Sequence, residues 1–253
     1  LKITFLGTGT SQGVPVIACE CKVCQSNNIM DKRLRSSVMV ETDNKTIVID
    51  AGPDFRYQML REGVKKVDAI LITHSHKDHI GGLDDVRAFN YIMHKPIDVY
   101  ARENAQFFLK REFYYAFEKE KYPGSPEINI HTITNHPFFI DNIEVIPINV
   151  LHYSLNIFGF RIKDFTYITD ANHITKSELD KVRGSRIVVI NALRKNKHRS
   201  HFTLDEAVTI LEDIRPEQAY ITHISHMMGL HEDVENELPD FVHLAYDGLK
   251  ILM

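Results

Sequence analysis

Cysteine, long apolar runs and surplus positive charge are all scarce in this chain of 253 residues. The only three cysteines, Cys19, Cys21 and Cys24, sit close together near one end. An odd, clustered set with no partner elsewhere is not a disulfide framework. No apolar run reaches the roughly 18 residues of a membrane-spanning helix. The opening Leu1-Lys2-Ile3-Thr4-Phe5 reads as a strand and not as a signal peptide. These absences point to a cytoplasmic protein with no membrane partner. The formal charge is −4, from 30 Lys and Arg against 34 Asp and Glu. That balance argues against a large nucleic-acid partner held by a basic surface. The one basic run, Arg194 to Arg199, reads by itself as a solvated loop. Linkers and short repeats are also missing, so residues 1–253 are expected to form a single domain. A glycine-rich loop, Gly7 to Pro15, follows the first strand, but no Gly-Lys-Ser/Thr closes it and no helical pattern follows, which excludes a phosphate loop.

Histidine, in contrast, is plentiful at 14 residues, and it is concentrated. The stretch Thr73-His74-Ser75-His76-Lys77-Asp78-His79 follows the apolar run Ala69-Ile70-Leu71-Ile72. Neutral imidazole and ionised carboxylate suit zinc, manganese, iron or nickel. In extended backbone a His-x-His pair points both rings to one side. Asp78 and His79 then face elsewhere unless the backbone turns, and Ile80-Gly81-Gly82-Leu83 is expected to provide a loop-to-helix turn. One segment can thereby serve two metals.

The remaining pattern alternates between strands and helices. Thr42-Asp43-Asn44-Lys45 reads as a hairpin turn between strands at Ser37 to Glu41 and Thr46 to Ile49. A helix is expected from Asp54 to Arg61, ended by Gly63. Further strands are expected at 97–100, 128–133, 143–149, 158–162, 165–169, 187–191, 218–222 and 241–244. Helical patterns fall at 83–93, 104–117, 176–182, 204–214 and 233–238. The pattern is that of an α/β protein with parallel and antiparallel strands covered by helices. The aromatic stretch Arg111 to Pro126 reads as an amphipathic helix packing into the core, with a lid or homodimer contact as alternatives. Four strands end in metal-type residues, His74, His152, Asp170 and His223, and open α/β sheets place ligand sites beyond the carboxyl ends of strands. Cys19-x-Cys21-x-x-Cys24 offers three thiolates to a structural zinc, which needs a fourth ligand. Free or redox-active thiols remain the alternative on spacing alone.

Together these residues resemble the metallo-β-lactamase superfamily, over nearly the whole chain. The resemblance implies an αββα sandwich of two mixed sheets flanked by helices, with a dinuclear metal site. It also implies the ligands: His74, His76 and His152 for one divalent ion, zinc or manganese, and Asp78, His79 and His223 for the other, with Asp170 bridging. Asp50 matches a supporting acidic position. The opening Phe5-Leu6-Gly7-Thr8-Gly9-Thr10-Ser11 resembles the phosphodiesterase branch that includes tRNase Z. The cysteine cluster, with Thr222-His223-Ile224-Ser225-His226, resembles PhnP-type phosphodiesterases, which implies a structural zinc on Cys19, Cys21, Cys24 and His226. His201 matches a catalytic histidine of that branch and precedes a helix start, where an anion is favoured. His94, His131, His136, His173, His231 and His243 read as structural or surface residues.

The implied reaction is hydrolysis of a small, cyclic phosphodiester by a metal-bound hydroxide formed near neutral pH. Asp78 orients the nucleophile and His201 assists the phosphoryl or leaving oxygen. The rival readings are a tRNase Z-like endoribonuclease, although no long Gly/Lys-rich arm is present, and a non-catalytic metal-binding sensor on the same fold.

Overall fold

The computed structural model describes residues 1–253, which cluster into two compact units. The first contains residues 1–6, 37–134 and 248–253, and the second residues 7–36 and 135–247. Each has its own mixed sheet, its own helices and its own buried apolar cluster.

The sheet of the first unit runs Lys250–Leu252, Lys2–Gly7, Ser37–Thr42, Lys45–Ile49, Ala69–Leu71, Ile97–Ala101 and Ile128–Thr132. Ser37–Thr42 and Lys45–Ile49 are an antiparallel hairpin, and the last four strands are parallel. The hairpin turns at Asp43 and Asn44, both with left-handed φ, as a two-residue primed turn requires. The helix Phe55–Glu62 stops at Gly63, whose φ of 62° is the usual helix C-terminal conformation. Phe55 and Met59 pack with Val48, Ile70 and Phe89 in the buried cluster of this unit.

The aromatic segment divides. The helix Glu103–Glu112 ends earlier than its periodicity predicts, and a 3₁₀ turn, Tyr114–Ala116, follows. Phe113 and Ala116 are buried, Tyr115 and Phe117 pack against the same cluster, and Tyr114 and Tyr122 lie exposed. Three of these five aromatics therefore pack into or against the core.

In the second unit the sheet order is His173–Ile174, Ile143–His152, Leu155–Ile162, Phe165–Tyr167, Ile187–Asn191, Gln218–Thr222 and Val242–Leu244. Phe138–Ile140 pairs with the second of these. The first four are antiparallel neighbours and the last four parallel. Consequently Ile143–His152, Phe165–Tyr167, Ile187–Asn191 and Gln218–Thr222 all end on one edge. The helix Leu204–Ile214 begins with a capping box between Thr203 and Glu206. Its residues Leu204, Ala207 and Leu211 pack with Val188, Ile190 and Ile221. The strands Phe138–Ile140, His173–Ile174 and Lys250–Leu252 are absent from the sequence expectation. Two or three residues are too few to show a period. No helix is long and apolar enough to cross a membrane.

Glu178, on the helix Lys176–Val182, ties that helix to the strand that ends at His152. It accepts from the Asn149 N–H and from Asn135 Nδ2, each at 2.8 Å, and pairs with Lys181 at 2.8 Å. Burial alone raises its pKa, yet Lys181 and the two amide donors outweigh burial and hold the carboxyl below its usual 4.5. A depressed carboxylate contributes stability above its unfolded pKa and loses it as pH falls through the folded value. Glu178→Gln should therefore cost about 1–2 kcal/mol at pH 7. Urea midpoints of both proteins should converge as pH falls below 4.5, and a cost that is the same at pH 7 and in acid would rule this out.

Candidate metal centre

Two metal-type side chains and one supporting carboxylate follow strands whose chain direction then breaks sharply. Asp50, Asp170 and His223 each follow a strand with left-handed φ, 66°, 59° and 57°. Such φ values are uncommon outside glycine and cost free energy, so they persist only where the surroundings fix them.

In the first unit Asp50 provides that fixation. It lies wholly buried after Lys45–Ile49 and accepts from the Thr73 N–H at 2.9 Å and the Thr73 hydroxyl at 2.8 Å. It also contacts His79 Nδ1 at 2.6 Å. Burial pushes the Asp50 carboxyl above its ordinary pKa, and the His79 ring and the Thr73 donors oppose that. The Thr73 hydroxyl also contacts His74 Nδ1 at 3.0 Å. Both imidazoles are thus held by Nδ1, which directs Nε2 as the outward donor, the usual arrangement around a metal.

The rings of His74 and His76 lie 4.5 Å apart and those of His74 and His79 4.2 Å apart, as centroid distances. Asp78 Oδ2 is 3.1 Å from His79 Nε2. The backbone turns earlier than expected: a short helix, Lys77–Ile80, starts immediately after His76. It places Asp78 and His79 in helical geometry while His76 stays extended. Gly81 and Gly82 are not the turn. A side chain at Gly82 would put its Cβ 2.1 Å from the Gly52 carbonyl and 2.7 Å from Phe55 Cβ, so glycine is needed there for close packing.

In the second unit the single sheet edge collects His152, Asp170 and His223. His152 Nδ1 donates to the Asp170 carbonyl at 2.7 Å and the Ser200 carbonyl at 3.0 Å. His223 Nδ1 is 3.2 Å from Asp170 Oδ2 and 3.2 Å from Ser36 Oγ, and its Nε2 is 3.3 Å from Thr10 Oγ1. His201 Nε2 reaches Asp170 Oδ1 at 3.2 Å, and its ring stacks on His223 at 5.0 Å. The donor atoms of His152, Asp170 and His201 all lie within 4.8 Å of one another. His198 stands behind His201, with Nδ1 to Nδ1 at 3.1 Å, and is lowered in pKa by burial first and by its neighbour second.

The residues that fix this edge were not singled out from sequence. Asn191 clamps Ala171 by two bonds, accepting from its N–H at 2.7 Å and donating to its carbonyl at 2.9 Å. That bracket follows Asp170 directly and holds its unusual φ. Thr169 donates to Asp170 Oδ2 at 2.7 Å. A signal was present: threonine precedes the metal-type residue at Thr73-His74, Thr169-Asp170 and Thr222-His223.

The cysteines and His226 form a separate cluster in the second unit. His226 Nδ1 is 3.2, 3.4 and 3.6 Å from the sulfurs of Cys19, Cys21 and Cys24. With Zn–S near 2.3 Å and Zn–N near 2.0–2.1 Å, a tetrahedral site has S···N edges of about 3.5 Å. These residues therefore fit zinc. The Cys24 N–H is the main reason that Cys21 falls to about 6, while burial pushes Cys24 up to about 11. Nearby, Gly9 pairs with both Arg35 and Ile224, and a Cβ there would meet Arg33 at 2.9 Å. The glycine-rich loop is thus a close backbone contact that carries Thr10 to His223. Arg33 is buried, donates to Thr8 Oγ1 and to the Ala245 carbonyl, and is lowered to about 10 by that burial.

Residues 45–224 match the family described as "Beta-lactamase superfamily domain". The crystal structure of a new diphosphatase from the PhnP family is 41% identical with a TM-score of 0.93, covering 99% of this chain and 96% of that one. An octanoyltransferase of Porphyromonas gingivalis is 37% identical over 100% of this chain and 52% of its own length. A ribonuclease Z of Nostoc punctiforme is 27% identical over 65% of this chain and 47% of its own. The chain thus spans about half the length of the curated relatives it matches.

Proposed function

Because the chain belongs to the β-lactamase superfamily, and within it to the PhnP family, we propose that it is a metal-dependent phosphodiesterase acting on small, cyclic phosphodiesters. The observation that carries this reading is the third imidazole beside Asp170: His201, poised next to the donors of His152 and Asp170. Beyond the metal ligands, such a group can hold or move a proton during phosphoryl transfer and so speed it. The match to a diphosphatase supports phosphorus as the target. The formal charge of −4 supports a small substrate over RNA.

In this reading seven residues would hold two divalent ions. His74, His76 and His152 serve one, Asp78, His79 and His223 the other, and Asp170 is shared. When bound, such ions lower the pKa of water and offset negative charge on phosphate. Every other task falls to the protein. Asp50 and Thr73 fix the tautomers of His79 and His74. The carbonyls of Asp170 and Ser200 do the same for His152. Asp78 orients the attacking oxygen. His201 donates its Nε2 proton to the phosphoryl or leaving oxygen, with Ser200 and His198 steadying Nδ1 at 3.1 Å. Cys19, Cys21, Cys24 and His226 bind a structural zinc that pins residues 19–24 beside the segment bearing His223.

His201→Ala should lower kcat roughly 10²–10⁴-fold with metal content unchanged. Full turnover in that variant would remove His201 from the reaction. The function itself is tested by metal analysis and turnover of the metal-loaded protein on phosphomonoester, cyclic and linear phosphodiester, pre-tRNA and octanoyl thioester substrates. Cyclic phosphodiesters should be turned over fastest. Preference for tRNA or thioester, or inertness toward all of them, would overturn the reading.

A further inference from the structure

Tyr153 occupies a position that neither backbone preference nor packing explains. It follows the metal-type residue His152 and, with Ser154, forms the two-residue loop that closes the hairpin at the His152–Leu155 pair. Its φ is 56°, a conformation in which glycine or asparagine is unstrained and a bulky aromatic is not. The ring is 59% exposed, so the core does not hold it there. The strain is maintained by Asn172, whose side-chain oxygen accepts the Tyr153 N–H at 2.7 Å. The same Asn172 donates to the carbonyl of Arg199 at 3.2 Å. The Arg199 guanidinium lies over the Tyr153 ring, 6.0 Å from its centroid.

Two consecutive residues on each segment thus meet. The inner pair is His152 with Ser200, bonded at 3.0 Å, and belongs to the metal centre. The outer pair, exposed to solvent, is Tyr153, which follows His152, with Arg199, which precedes Ser200. Neighbouring basic residues are engaged elsewhere: Arg194 bonds the carbonyls of Asn196 and Lys197, and Lys195 pairs with Glu237. Arg199 is the cation of this run that faces an exposed aromatic ring.

On the reading of the site given above, we propose that Tyr153 and Arg199 form a specificity shelf that takes a planar aromatic ring of the substrate, the base of a nucleoside phosphodiester. An exposed aromatic beside a guanidinium binds planar rings by stacking and offers positive charge to the attached phosphate. A base-free sugar phosphate would use the metal centre without touching the shelf.

The test uses the metal-loaded enzyme. Asparagine is at ease with positive φ, so Tyr153→Asn removes the ring without disturbing the turn. Its affinity for AMP, measured by calorimetry, should fall on the order of tenfold, while ribose 5-phosphate binds both proteins alike. Tyr153→Phe should retain AMP affinity and Arg199→Ala should lower it. In turnover, kcat/KM for 2′,3′-cyclic AMP should fall through KM in Tyr153→Asn, with base-free ribose cyclic phosphate unchanged. Equal changes for ligands with and without a base, or no change for either, overturn the shelf. Wild-type enzyme that binds AMP through Tyr153 but hydrolyses no phosphodiester would leave the shelf standing and overturn the phosphodiesterase reading.

Discussion

Replacing Asp170 with asparagine is expected to reduce kcat/KM by on the order of 10³–10⁴-fold and to lower bound metal. The substitution keeps the shape of the side chain, and asparagine tolerates the left-handed backbone at this position. What it removes is the negative charge that faces His201 and His223, each at 3.2 Å, and that both ions share in the proposed set. A carboxylate ligand contributes both affinity and charge balance. Several kcal/mol of transition-state stabilisation, at 1.36 kcal/mol per decade, gives the stated loss. Steady-state kinetics with metal analysis on the same samples separates the outcomes. Near-native turnover with full metal content would show that Asp170 is not a ligand. A loss of activity that excess metal restores would show that it acts only through affinity.

Cys21→Ser is expected to act on folding. The variant should lose one zinc per chain and melt roughly 10 °C or more lower, since structural zinc contributes many kcal/mol and 1 kcal/mol corresponds to about 2–4 °C at this size. The reason lies in how little else holds this region. Its apolar cluster has only Val14, Val23 and Cys24 buried, with Val16 and Leu230 partly so. The helix there is four residues long, Lys22–Gln25, capped by the Cys21 sulfur itself. Such a segment does not bury enough apolar surface to offset its ordering entropy. Calorimetry and zinc stoichiometry measured together check this. A Cys21→Ser protein that retains its zinc and its melting temperature would mean that the cluster is simply four reduced side chains in proximity.

The sequence was most informative where chemistry is contiguous. His74, His76, Asp78 and His79 lie within one strand end and one helical turn, so local geometry alone brings them together. The Asp43-Asn44 turn, the Gly63 stop and the Thr203–Glu206 capping box are similarly local, and all are visible as residue types at fixed offsets. The same logic failed at the second turn of the metal segment. There a loop-to-helix turn was expected at Ile80-Gly81-Gly82-Leu83, whereas the helix starts at Lys77 and close packing against Gly52 and Phe55 is what requires Gly82.

The sequence by itself therefore determined the α/β pattern and which metal-type side chains stand at the strand ends. A strand's period and a ligand's chemistry are properties of a few neighbouring residues. Tertiary structure alone decided how those donors are held. Asp50 reaches Thr73 and His79 across 23 and 29 positions, Asn191 brackets Ala171 across 20, and Thr10 meets His223 across 213. Tyr153 and Arg199 likewise meet across 46 positions, with Asn172 bonded to the backbone of both. Contacts of that range depend on which strand lies beside which, and no local pattern encodes that order. It follows from burying a large apolar cluster within each unit.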